Sequence, residues 1–540
     1  MASRAASATS LRGATEVKVR KQFRLGRKRY PIWLKLLLLT SLLLGLCFRF
    51  VNLDRKLYWH DEALTSLRVF GYTQTELVQQ AFNGQVVEVA ALQKYHHPSP
   101  DKGWGDTLTA LAGNAEHPPL YYLLARLWSD GFGSSVAAMR SLPAVISLFA
   151  FPCIYWLCLE LFESSLTAAI ACALIAIAPF HVIYAQEARE YSLWAVTVLF
   201  SSASFLRALR LQTKQAWGLY AIAVSLSLYT HALAGLVSIA HGVYLLATQR
   251  DRLFKTFKSY ALAAIAGLVT FLPWIVLVVQ NWAQVHAATE GVRRAQTLHT
   301  IIGKWFINLN RVFVDIELGS ANIIFVLLAA VVFYWLCRHT AQRIWLFIVS
   351  LIVVTAFPLV IADLILQSRY STNLRYLTPC YIALELAVAY YLATHLRSRQ
   401  LRQHKVARTA LVTLVAAGSL SCLISSQSEV WWHKSIQKTG FYPEFSRIVD
   451  RTTNPLIISD SSNAIDVLSL SHSLDPQVHL QLLPATVVPQ VPGQFSDVFL
   501  FSTSIPLREM LERTQNFQSQ PLSKTRNVFH LTKLPTSLRK

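Results

Sequence analysis

Long apolar stretches, each near the ~20 residues that a helix needs to cross a bilayer, recur from residue 31 to residue 426 and leave this chain one class of fold. They fall at 31–51, 138–160, 165–184, 191–210, 216–233, 235–249, 260–281, 321–337, 344–366, 376–395 and 409–426, about 11 in all. Composition agrees with that pattern. Of the 540 residues, 53% are hydrophobic and 15% charged, where a soluble protein carries roughly a quarter charged residues. The expected fold is an all-α polytopic membrane protein of about 11 transmembrane helices. A small C-terminal α/β domain follows it.

Basic residues set the expected orientation. Nine Lys or Arg crowd residues 1–30 against the single acid Glu16. Alternate loops repeat the excess, with Arg207, Arg210 and Lys214, then Arg250, Arg252, Lys255 and Lys258, then Arg338 and Arg343, then the run from Arg397 to Arg408. These belong in the cytoplasm with the N-terminus. The long loop 52–137 and, with an odd span count, the tail belong outside. The net charge of +21 is confined to these short loops, so no nucleic-acid partner is expected. The first span is too long for a cleaved signal peptide and no small-residue cleavage site follows it. All seven cysteines fall in spans or at their ends, which leaves no disulfide framework and no thiolate metal site in the outer loop or tail. Compact loops and few glycosylation sequons suggest a bacterial plasma membrane.

Three parts emerge: a basic arm (1–30), a membrane body (31–426) that includes loop 52–137, and a polar tail (427–540). The loop holds an amphipathic run, ALTSLRVFGYTQTELVQQAF, read as a helix on the bilayer surface. It also holds HPPLYYLLARLWSDGF, whose prolines suit a helix's first turn and which is too short to span. In the tail, PLIISDSS, VHLQLLP, DVFLFSTS and NVFHLTKL are strand-like, while FSRIVDRT and PLREMLERTQNF are helix-like. No internal repeat is evident, which weighs against transporters built from paired repeats.

Polar motifs cluster at the predicted outer ends of the spans. WHDEA supplies Asp61 and Glu62 just past the first span. Asp61 is either a helix cap or a base able to deprotonate an attacking hydroxyl. HPPLYY supplies His117 and Tyr121, suited to a phosphate and a sugar or to an interfacial helix with an aromatic belt. YAQEAREY supplies Glu187, Arg189 and Tyr191, where Glu187 and Arg189 either bind substrate or pair with each other while Arg189 reaches for headgroups. His231 ends the fifth span. SRYSTNLRYLTP supplies Arg369, Tyr370, Arg375 and Tyr376, a pattern that suits a phosphate clamp or an interfacial anchor. Glu385 lies mid-span, where a carboxyl is protonated, paired or facing a polar route.

In order and wording, WHDEA, EHPPLYYLLARLWSDGFG, AAMRSLPAVISLFAFPCIYWL and YAQEAREYSLWAV resemble the GT-C superfamily of membrane glycosyltransferases. The nearest branch holds the protein O-mannosyltransferases and the bacterial aminoarabinose transferases. The resemblance covers roughly residues 55–250. It implies that Asp61 is the catalytic base with Glu62 beside it, and that the donor is a sugar on a polyprenyl phosphate, transferred with inversion. Where some aminoarabinose transferases carry a second aspartate after the arginine, this chain has Tyr191, with Glu187 or Glu190 as a substitute. A divalent metal is used by some of the superfamily, and this chain shows no metal cluster.

The expected function is transfer of one sugar from a polyprenyl-phosphate donor to a protein, lipid or polysaccharide acceptor outside the cytoplasm. Asp61 acts as base, with His117, Tyr121, Glu187, Tyr191, His231 and Tyr376 on the sugar or acceptor. Arg189, Arg369 and Arg375 hold the phosphate, and membrane lipid surrounds the body. The competing reading is a lipid or solute transporter using Glu385 and the outer arginines.

Overall fold

A computed structural model describes residues 30–249, 253–290, 296–316, 323–431, 440–484, 487, 490–515, 517–523 and 528–533. The basic arm, apart from Tyr30, lies outside them. The chain divides into two compact units, Met1–Thr40 and Ser41–Lys540. What is described of the first is the start of the helix Ile32–Phe50.

The chain is an integral, multi-pass membrane protein. Each predicted span coincides with a helix or a closely joined pair, but fewer qualify as crossings. Among the described residues seven helices are long and apolar enough to cross a membrane, or eight if one bent pair counts as a single span. The difference from about 11 lies in three helices that fall short: Lys214–Thr230 with 17 residues, Ala234–Thr248 with 15 and Ile323–His339 with 17.

The bent pair is Ser165–Ile177 and Pro179–Ala185, which meet at 59°. Pro179 sits where the second helix starts, and its ring and missing N–H stop the first from continuing. Carbonyls released at such a break need partners inside a membrane protein. Buried Arg49 supplies them, donating to Ile175 O at 3.0 Å and Ala176 O at 2.6 Å. Cys422 Sγ donates to Ile177 O at 3.4 Å. Helix Leu401–Gln427 approaches the break at Gly418, where a Cβ would lie 2.6 Å from Ile177 Cδ1 and 2.8 Å from its carbonyl oxygen. Small residues permit such close helix contact. Gly418→Val is therefore expected to cost about 1–3 kcal/mol of stability through overpacking, read as a lower thermal midpoint in nanodiscs.

The outer loop departs from the sequence reading. The run 63–82 forms two helices, His60–Val69 and Gln74–Ala81, split at Gly71, whose φ of +81° an L side chain adopts with strain. The first does not lie on a bilayer surface: Leu67, Val69 and Glu62 are among its buried residues. Helix Trp104–Ala112 and the proline-initiated helix Leu120–Phe132 both pack against it.

The tail folds as an α/β layer. Strands β1 (Val86–Glu88), β2 (Pro455–Asp460), β3 (His479–Leu483), β4 (Asp497–Phe501), β5 (Phe517–Pro521) and β6 (Val528–Lys533) form one sheet in the order β1-β3-β2-β4-β6-β5. β2 runs parallel to both neighbours, with Ile457 opposite Leu480 and Phe499, and all six of its residues are buried. That fits a central parallel strand covered on both faces. Helix Ile505–Gln515 packs Leu507 and Leu511 against Leu456 and Leu500. Phe445 of helix Tyr442–Val449 stacks on Phe501. β1 comes from the outer loop and pairs antiparallel with β3, Val86 opposite Gln481. The loop and the tail therefore share a sheet. Helix Ala464–Leu470, which follows β2, packs on helix His60–Val69.

Candidate active site

The site is built on the first turn of helix His60–Val69. Trp59 is its N-cap, and the Glu62 carboxylate accepts from the Trp59 backbone N–H at 3.3 Å. The capping task thus falls to Glu62 and leaves the Asp61 side chain for another use. Two acids in a helix's first turn also suit its positive end.

Glu62 is sealed. Its two oxygens accept from Arg140 Nε at 2.8 Å and Nη2 at 2.6 Å, and Oε1 also accepts from Ala188 N at 2.9 Å. Neither member of the pair is more than 1% exposed. The remaining Arg140 donors reach the carbonyls of Leu53, Lys56 and Leu57 at 2.7–2.8 Å. One forked ion pair therefore ties together the end of the first span, the helix of Asp61 and the loop 186–190.

Asp61 is paired yet accessible. Its Oδ2 accepts from Arg375 Nη1 at 2.6 Å, and the side chains are 19% and 22% exposed. Burial opposes ionisation of this carboxyl, but Arg375, Arg189 and His60 outweigh it and hold it well below the usual carboxylate range. The Arg375 guanidinium lies among rings, 5.2 Å from Tyr191, 5.6 Å from Tyr376 and 5.9 Å from Trp59. Aromatic faces favour a cation without consuming its donors.

Arg189 forms the second cationic centre. Its Nη1 donates to Tyr122 OH at 3.0 Å, Thr65 Oγ1 at 3.2 Å and Asp61 O at 3.4 Å, and Nη2 donates to Glu190 Oε1 at 3.2 Å. It pairs with Glu190, not Glu187, and is buried, so it does not reach for headgroups. Burial raises the Glu190 carboxyl, yet Arg189 and His117 bring it well below its ordinary value. His117 Nδ1 stands 3.3 Å from Glu190 Oε1. Glu187, fully buried, accepts from Trp59 Nε1 at 3.0 Å.

The other predicted residues divide. Tyr191 is buried beneath both guanidinium groups, 5.7 Å from Arg189. His231 stacks on Trp194 at 4.0 Å, accepts the Leu233 N–H at 3.2 Å, and stands 6.1 Å from the Tyr376 ring. Tyr121 is fully buried edge-on to Tyr122, and its hydroxyl has no partner among the described residues. Arg369 precedes Tyr370, whose ring stands 6.2 Å from that of Tyr376. It lies on the turn 366–373, which Asp363 holds by accepting from Ser368, Tyr370 and Ser371 at 2.6–2.8 Å. There it faces Lys304, whose ammonium is lowered by burial and then by Arg369. Glu385 is fully buried against His181 Nε2 at 2.9 Å. A small cavity lined by Arg49, His181, Tyr184 and Tyr191 adjoins that pair.

Arg140, Trp59 and Tyr122 were not singled out from the sequence. An arginine inside an apolar run signals a buried partner, so Arg140 was findable. Nothing local marks Trp59 or Tyr122. Among the described residues no group of three or more His, Cys, Asp or Glu is placed to hold a metal ion.

Comparison of the whole fold with solved structures gives matches over nearly the full chain. Crystal structures of ArnT from Cupriavidus metallidurans, bound to undecaprenyl phosphate and in the apo state, superpose with a TM-score of 0.50 each. Identities are 11% and 12%, covering 92% of this chain and 98% and 97% of those. The Archaeoglobus fulgidus oligosaccharyltransferase is more distant, with a TM-score of 0.44 and 11% identity over 84% of this chain and 64% of that one. The chain thus has the fold of the GT-C membrane glycosyltransferases, of the ArnT and protein mannosyltransferase type. Residues 116–277 match the dolichyl-phosphate-mannose-protein mannosyltransferase family. No curated protein sequence matches the chain.

Proposed function

We propose that this protein transfers a sugar from a polyprenyl-phosphate donor to a hydroxyl acceptor, with inversion and with Asp61 as the base. One observation carries the reading. Of the four acids gathered here, Glu62, Glu187 and Glu190 are at most 1% exposed, while Asp61 stays open and touches a guanidinium at 2.6 Å. A base must reach its proton and a leaving phosphate needs a cation, and this pair offers both. The acceptor oxygen bonds to the anomeric carbon as the bond to the phosphate oxygen breaks. The electron pair leaves on phosphate, and the acceptor proton passes to Asp61.

Arg375 has two tasks in sequence. Before donor binding it neutralises Asp61. An arriving phosphate offers the fork a stronger partner and draws the guanidinium off the carboxylate, which regains basicity as the acceptor enters. Arg189 adds positive field, and its ties to Tyr122, Glu190 and Thr65 keep it in place. His117 and Tyr191 line the sugar side. Glu62 and Arg140 hold the frame. The acceptor approaches from the non-cytoplasmic face, where the C-terminal domain stands. Glu385, fully buried against His181, offers a transport route little.

The test is release of labelled sugar from a panel of radiolabelled polyprenyl-phosphate sugars by wild-type protein and Asp61→Asn in nanodiscs. Cleavage by the wild type alone supports the reading. Equal cleavage by both sinks it.

Two further outcomes are expected. Arg375→Gln should raise the donor KM about tenfold, since a hydrogen bond to a charged group contributes about 1.5–3 kcal/mol. Arg375→Lys should recover little because it lacks the fork. The pH profile follows from the lowered Asp61 carboxyl. In the wild type Asp61 stays ionised below the ordinary value of about 4, so kcat/KM shows no acid limb from it between about pH 5 and 8. Removing the Arg375 cation raises that carboxyl and moves the limb to higher pH.

A further inference from the structure

Helix Ala464–Leu470 joins the C-terminal domain to the helix that carries the base. His60, the first residue of helix His60–Val69, places Nδ1 2.8 Å from Asp466 Oδ1. The carboxylate side chain is 7% exposed and the imidazole 37%. Apart from Ser469, the rest of this short helix is apolar where it is buried, through Ile465, Val467 and Leu468. A carboxylate set among apolar side chains is costly unless its partner is well placed, so packing alone gives no reason for one here. A second bond fastens the same turn: Ser469 Oγ donates to Tyr58 O at 2.6 Å, one residue before the N-cap.

These contacts matter because helix ends fray, and a base displaced by about 1 Å can lose on the order of a hundredfold in rate. Asp61 sits on such an end. Asp466 takes His60 by Nδ1, which fixes the ring and leaves Nε2 as its free nitrogen. The neighbouring loop 186–190 grips the turn from the opposite side, through Arg189 on Asp61 O and Ala188 N on Glu62.

We propose that Asp466 is a positioning residue of the transfer reaction: through His60 it fixes the first turn of helix His60–Val69, and the C-terminal domain is thereby part of the active site. The proposal rests on the reading of Asp61 as base.

The experiment uses full-length protein in nanodiscs and sugar release from the radiolabelled polyprenyl-phosphate sugars. Asp466→Ala is expected to lower kcat about tenfold while the donor KM stays within about twofold, because the groups on phosphate are untouched. Asp466→Asn keeps an oxygen for the Nδ1–H and should recover most of the rate. Val467→Ala serves as the stability control, since it trims a buried side chain of the same helix without touching His60. It should lower the thermal midpoint and leave kcat per folded protein unchanged. The proposal is overturned if Asp466→Ala turns over like the wild type, if it loses KM rather than kcat, or if Val467→Ala loses as much kcat as Asp466→Ala. Failure of the base reading is seen separately, as full activity in Asp61→Asn.

Discussion

Asp61→Asn should reduce sugar transfer by about a thousandfold or more, with the protein still folded and still binding polyprenyl phosphate. General-base catalysis contributes on the order of 10²–10⁴ in rate, and an amide has no basicity to replace it. Folding should survive for reasons visible around the residue. Asp61 does not cap its helix, since the N-cap N–H goes to Glu62. Its side chain does not hold the loop 186–190, since Ala188 bonds to Glu62. Asparagine also keeps an oxygen for Arg375 Nη1. Binding of the lipid phosphate should hold or tighten, because the substitution removes a carboxylate that competes for Arg375. Wild-type-like yield and thermal midpoint, retained phospholipid binding and lost turnover form the expected set. A variant keeping more than a tenth of the wild-type rate would show that the proton goes elsewhere.

The sequence made the membrane body legible because apolar runs of bilayer length are hard to mistake, and each predicted span has its helix. The number of crossings was less legible. Ala234–Thr248 reads as a span by composition and falls short by length, while the bend at Pro179 turns one run into two helices. In the tail, four strands showed themselves through β-branched and aromatic runs. β5, FQSQP, has no such run and β1, VVE, is too short to make one; each pairs at a sheet edge, with β6 and β3.

Around the site, motifs at span ends pointed to Asp61, Arg189 and Arg375, which the structure brings within one cluster. Patterns did not say which neighbour each would take. Glu187 and Glu190 flank Arg189, and the backbone of the loop turns only Glu190 toward it. Arg369 and Arg375 share a motif, and nothing in it shows that Asp363 holds the turn that carries Arg369. His60–Asp466 joins residues more than four hundred positions apart, and no local signal records it.

Arg140→Leu should unfold or strongly destabilise the protein, by about 3–5 kcal/mol from the ion pair alone, since removing one partner leaves a buried charge uncompensated. Glu62 would keep only backbone N–H donors from Trp59 and Ala188. The arginine also serves Leu53, Lys56 and Leu57 carbonyls; Leu57 O keeps Trp431 Nε1 as a donor, and a buried acceptor left without one adds a desolvation cost of about 1–3 kcal/mol. The double variant Glu62→Met/Arg140→Leu separates the two effects. Replacing a buried pair with apolar residues of similar volume is often neutral, so recovery to wild-type stability would mean that the ion pair is the whole story. We expect recovery of less than half, because the carbonyls of Leu53 and Lys56 just after the first span lose this donor and the loop 186–190 loses its hold on Glu62. Thermal midpoints of the wild type and the three variants in nanodiscs, with Glu62→Met as the other single, complete the cycle. A full rescue would place Arg140 as the counterion of Glu62 and nothing more. A partial one makes it the residue that fastens the helix of Asp61 to the membrane body.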